Sequence, residues 1–287
     1  MATLILIALL ASGLTLAWHL PGWRLARVLR REIDPAWRAI LARNIPIYTR
    51  MSTDLQHQLH KLVQQFLYQK KFVGCAGLEV SDEMRVTIVG LACLLLLNRP
   101  TKVYPALHAV LVYPTAFLVP RKQVDEAGVI TEERQDLLGE SWGDGRVVLS
   151  WDHVQRGAHD WTDGQNVVLH EFAHQLDSES GSNNGAPYLG SSDNYLQLVR
   201  GPVARLRQFA RRRDLRPAER DGPLRRHQSG RVFAVATETY FEKPWQMSER
   251  HPALFAELFK YYRVDPRAWV AQPVLEPWVA PGVGQWH

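Results

Sequence analysis

Apolar residues recur at Leu55, Leu59, Leu62, Val63, Phe66 and Leu67, the spacing of one helical face, which predicts an amphipathic helix over Asp54–Phe72. A second helix is predicted over Asp82–Leu97, and its end, VGLACLLLL, is apolar on every face and belongs in a core. Short runs bounded by Pro, Gly and Asp follow at Ala109–Tyr113, Ala116–Val119 and Arg146–Trp151 and read as strands. The helical period resumes at Gly164–Asp177, Asp193–Arg212, Val232–Glu242 and Pro252–Tyr262. Helices, a short sheet and helices again make an α+β chain, with the sheet packed on the helices. No internal repeat or low-complexity tract interrupts the pattern.

The uncharged run ATLILIALLASGLTLAW (2–18) is long enough for a transmembrane helix. No Lys or Arg precedes Leu4, whereas Arg24, Arg27, Arg30 and Arg31 follow the run. That asymmetry favours an uncleaved anchor over a signal peptide and places the rest of the chain on the cytoplasmic side of the inner membrane. The remaining composition is globular, with 46% hydrophobic and 22% charged residues among 287. The net charge of +5 is modest. The basic stretch 211–231 lacks zinc-knuckle spacing or aromatic interleaving, so it reads as a solvated loop and no nucleic-acid partner is expected. Cys75 and Cys93 sit in apolar surroundings and read as buried free thiols in a reducing compartment.

Chemistry concentrates in residues 166–177, NVVLHEFAHQLD. On a helix, His170 and His174 stack on one face about 6 Å apart. Two imidazole nitrogens so placed reach one Zn²⁺ at about 2.0–2.1 Å each. Glu171, turned about 100° from His170, stands beside such an ion without ligating it and suits a general base toward water. The apolar flank of Val167, Val168, Leu169, Phe172, Ala173 and Leu176 makes burial of these polar groups costly unless something compensates them, and a metal ion does so. Asp177 reads either as a carboxylate accepting the N–H of a ligating histidine or as an exposed residue at the helix end. The strand Arg146–Trp151 reads either as an edge that binds an extended peptide through its backbone or as an ordinary core strand.

With these residues in view, the chain resembles the Mlc titration factor A family of zinc metallopeptidases, of gluzincin type, whose catalytic core is similar to anthrax lethal factor. The resemblance is carried by FVGCAGLEVSDEMRVTI (72–88), VLVYPTAFLVP (110–120), DEAGV (125–129), GESWGDGRVVLSWDHV (139–154), NVVLHEFAHQLD (166–177), FAVATETYFEKP (233–244) and YYRVDPRAW (261–269). It implies a zincin-like fold and Zn²⁺ held by His170, His174 and a glutamate from a later helix. It also implies aminopeptidase-like action on peptides and contact with a transcriptional repressor. The organisation expected is an anchor (1–20), a basic juxtamembrane connector (21–50), a peptidase domain (51–270) and a tail (271–287).

The chain departs from the family at the third ligand. The family stretch resembling Y-G-A-x-N-P-A-E-F-F is LRRHQSGRVF (224–233) here, which puts Leu224 where the oxyanion-stabilising Tyr stands and Arg231 where the ligating Glu stands. Arginine has no lone pair for a metal and repels it. Codons for LRRHQSGRVF can be chosen that, read one base later, give Tyr-Gly-Ala-Ile-Asn-Pro-Ala-Glu-Phe, which makes a local frameshift one hypothesis for the departure. Glu238 lies seven residues after Arg231, about 10.5 Å along a helix on the same face, and suits a place behind a ligand. The third donor stays open, with His227 a further candidate. Two functions follow: a zinc peptidase, or a catalytically impaired pseudo-peptidase that binds a regulatory protein.

Overall fold

The computed structural model describes residues 1, 3, 20, 22–115, 117–124, 130–137, 139–142, 145–178 and 224–273, with backbone alone between 117 and 142 and between 224 and 231. Helix α1 (Pro35–Asn44) starts at Asp34, whose Oδ1 accepts the Ala36 N–H at 2.8 Å, with Pro35 fixing the first helical turn. Helices α2 (Thr53–Gln69) and α3 (Asp82–Leu94) are capped by Ser52 and Ser81, each accepting an N–H three residues on. Gly90 of α3 lets α1 cross closely, since a Cβ there would stand 2.5 Å from both Leu41 and Ile45. Leu41 and Ile45 are accordingly core residues, so the chain joins the packed body well before residue 51.

The sheet runs β1 (Lys71–Gly74), β2 (Ala109–Tyr113), β6 (Arg146–Ser150), β5 (Gly139–Trp142). The first three strands are parallel and β5 is antiparallel to β6. Between β2 and β5 the chain forms a separate two-stranded ribbon of β3 (Phe117–Val124) and β4 (Ile130–Leu137). Strand β6 is therefore interior. Of the two roles expected for Arg146–Trp151, the edge role falls away, since the edges are β1 and β5, and Trp151 already opens the next helix. Gly145, with φ of 80°, supplies the left-handed residue that begins β6 after the reversal.

Helices α4 (Trp151–His159), α5 (Val167–Ser178), α6 (Leu224–Glu242), α7 (Pro244–Arg250) and α8 (Pro252–Tyr262) complete the described body. Helix α5, which carries the motif, packs against β5, β6, α3, α4 and most extensively α6. Its buried back is anchored by Phe172, whose ring lies 4.8 Å from Tyr104 and 5.8 Å from Phe66. Helix α6 begins at Leu224, eight residues before the predicted start, so Arg231 and Glu238 share one helix.

The expected N-terminal transmembrane helix requires correction, and with it the single-pass placement in the inner membrane. Among the described residues no helix is long and apolar enough to cross a membrane. The helical turns described at 22–30 carry Arg24, Arg27 and Arg30, charges too costly for a bilayer core. Residues 2 and 4–19 of the apolar run lie outside the described residues. So do the predicted helix 193–212, the basic stretch 211–223 and most of the tail, 274–287. Cys93 is buried and its thiol pushed up by burial, whereas Cys75 is only half-buried; both are free.

Candidate metal centre

His170 and His174 occupy successive turns of α5, and their ring centroids lie 5.0 Å apart at an interplanar angle of 74°. Both rings are half-buried, while Glu171 between them is only 5% exposed. Glu238 of α6 reaches the motif helix at two points. Its Oε1 pairs with His170 Nδ1, and its Oε2 accepts the Asn166 N–H at 3.1 Å. A carboxylate accepts, so His170 Nδ1 carries the proton and Nε2 the lone pair, the tautomer a metal ligand needs. Asp177 is fully buried, which removes its reading as an exposed residue at the helix end.

Two residues that sequence reasoning passed over complete this corner. Asn166 caps the motif helix: its Oδ1 accepts the Leu169 N–H at 3.2 Å and its Nδ2 donates to Gly157 O at 2.8 Å. An Asn directly before an apolar helical run is a cap signal, so this role was present in the sequence. Glu242, one turn beyond Glu238, is 2% exposed, and neither carboxylate oxygen has a hydrogen-bond partner. Burial pushes its carboxyl up to about 9; the Asn166 amide, near enough to attract the carboxylate though its Nδ2 donates to Gly157 O, opposes this, and Glu238, Asp163 and Asp160 add to it. At neutral pH Glu242 is therefore a neutral acid, one turn beyond Glu238.

Two imidazoles on successive turns, one held through Nδ1 by a carboxylate, fit the donor pair of a divalent metal. Among the described residues no group of three or more His, Cys, Asp or Glu is arranged to hold an ion. The third donor expected from α6 falls at Arg231, whose side chain lies outside the described residues, as do those of Leu224 and His227. The site therefore shows two nitrogen donors, a buried carboxylate on the same helix and a carboxylate behind the first.

A small sheet over a helix bearing His-Glu-x-x-His, with Glu238 of a second helix behind it, is the arrangement to set beside the metallopeptidases. The chain belongs to the glucose-regulated metallopeptidase family M90, whose sequence model matches residues 20–263. An uncharacterised protein of Synechocystis sp. is 34% identical over 92% of this chain and 98% of its own length. Mlc titration factor A of Klebsiella pneumoniae is 30% identical over 81% of this chain and 87% of its own. Its counterpart in Salmonella schwarzengrund is 28% identical over 85% and 91%. The family read from the motifs is thus borne out.

Proposed function

We propose that the chain is a zinc-dependent peptidase in which His170 and His174 hold the metal and Glu171 is the general base. The observation that carries this reading is the pairing of His170 Nδ1 with buried Glu238, which presents Nε2 for coordination. When bound, Zn²⁺ supplies Lewis-acid activation of water and of the scissile carbonyl. Glu171 then takes the proton from the attacking water and returns it to the leaving amine. Its burial, at 5% exposed, suits it to hold that proton between the two steps. The backbone edge of β5, beside α5, suits an extended peptide, and the resemblance favours aminopeptidase-like action on small peptides. The relatives named Mlc titration factor A support contact with a transcriptional repressor as a second activity.

A second reading, an impaired pseudo-peptidase that binds a regulatory protein, is favoured by one observation: Arg231 stands where the third ligand is expected. Zinc uptake and peptide cleavage by the chain and by His170→Ala separate the two. The peptidase reading expects both properties in the parent and neither in the variant. A parent that folds yet takes up no zinc and cleaves nothing contradicts it and leaves the pseudo-peptidase.

A further inference from the structure

Three elements meet at Asn166, and none of the contacts there touches the motif side chains directly. The side-chain amide donates to Gly157 O in the last turns of α4, the side-chain oxygen caps α5 at Leu169, and the backbone N–H donates to Glu238 Oε2 from α6. Asn166 is 1% exposed, so none of these bonds is exchanged for water at little cost. The two oxygens of Glu238 are divided between Asn166 and His170. The Asn166 backbone and the His170 ring are thus linked through one carboxylate.

Gly157 lies against that backbone. A Cβ on Gly157 would stand 3.1 Å from Asn166 Cα, 3.2 Å from Asn166 Cγ and 3.2 Å from Gln165 O. Two of those three atoms are backbone, so a methyl group at this point would push the start of α5 away from α4 by a few tenths of an ångström.

We propose that Asn166, seated against Gly157, is a positioning residue that aims His170 by holding the far oxygen of Glu238. The zinc part of this inference rests on the reading of His170 as a ligand; the geometric part does not. Asn166→Ser keeps an oxygen able to cap α5 but shortens the reach to Gly157 O. Gly157→Ala disturbs the same seat from the other side, and Ala is the better helix former, so α4 itself is not weakened.

The test reads two quantities in histidine-labelled protein: the His170 Nδ1–H proton resonance without metal, and the zinc dissociation constant. The parent should show a protected, strongly downfield resonance. Both variants should lose or markedly weaken it, and should bind zinc about tenfold more weakly. Leu59→Ala, a core truncation in α2 chosen for a matching loss of thermal stability, should leave both readouts at parental values. If the two site variants fold and retain the resonance and zinc affinity within about twofold of the parent, Asn166 does not position His170. If Leu59→Ala abolishes the resonance equally, the effect is general loosening and the inference is overturned. Should the parent take up no zinc, the proposed peptidase function falls and the resonance alone decides the role of Asn166.

Discussion

At the scale of single residues, buried carboxyls divide into those with a partner and those without. Glu238 spends its two oxygens on His170 and Asn166, while Glu242, one turn away, has no hydrogen bond for either oxygen. A carboxyl whose folded pKa is raised holds a proton that the unfolded chain has already released. Its contribution is therefore most favourable below the ordinary carboxylate range and is lost progressively as pH rises toward about 9. Glu242→Gln, which mimics the neutral acid, should flatten that fall and be more stable than the parent at about pH 8. Denaturant unfolding across a pH series checks this; parallel curves for the two proteins would show that Glu242 does not carry the proton.

At the scale of elements, α6 carries both the bracing carboxylate and the anomaly. The backbone is helical from Leu224 to Glu242, so Arg231 lies two turns before Glu238 on the same face. Arg231→Glu should strengthen zinc binding by about tenfold or more, since it replaces a repelling cation with a donor. Isothermal titration reads this directly, and unchanged affinity would mean that another residue completes the site. The motif helix and the helix Pro252–Tyr262 were readable from their helical apolar periods, and the strand Ala109–Tyr113 as a short apolar run bounded by turn residues. Helix α1 was not, because Pro35 and a run of arginines resemble a connector although Ile40 and Leu41 point inward. Strand β5 and the true sheet edge were hidden because four residues, Gly139–Trp142, carry too short an alternation to register. The pairing of Glu238 with His170 was foreseeable only as a place on a helix face, since sequence spacing says nothing of which helix lies opposite.

At the scale of the molecule, the family match over 20–263 and the packing agree that the body begins before α2. Leu41 of α1 is fully buried and meets Gly90 of α3, so α1 is part of the core that supports α5 from beneath. Leu41→Ala should cost about 2–5 kcal/mol, read as a shift of the denaturant midpoint; a cost near zero would mean that α1 is a detachable arm. The core in turn packs the motif helix against β5, β6 and α6, the support that a site built on two turns of one helix requires. The proposed chemistry itself hinges on Glu171, and one paired measurement addresses it: zinc content and peptide hydrolysis on the same preparations of the chain and of Glu171→Gln. The variant should keep the parental zinc while hydrolysis falls by about a hundredfold or more, because the amide preserves shape and accepts no proton. Undiminished hydrolysis in Glu171→Gln, or loss of zinc along with activity, would contradict the role of Glu171 as the base beside a histidine-held metal.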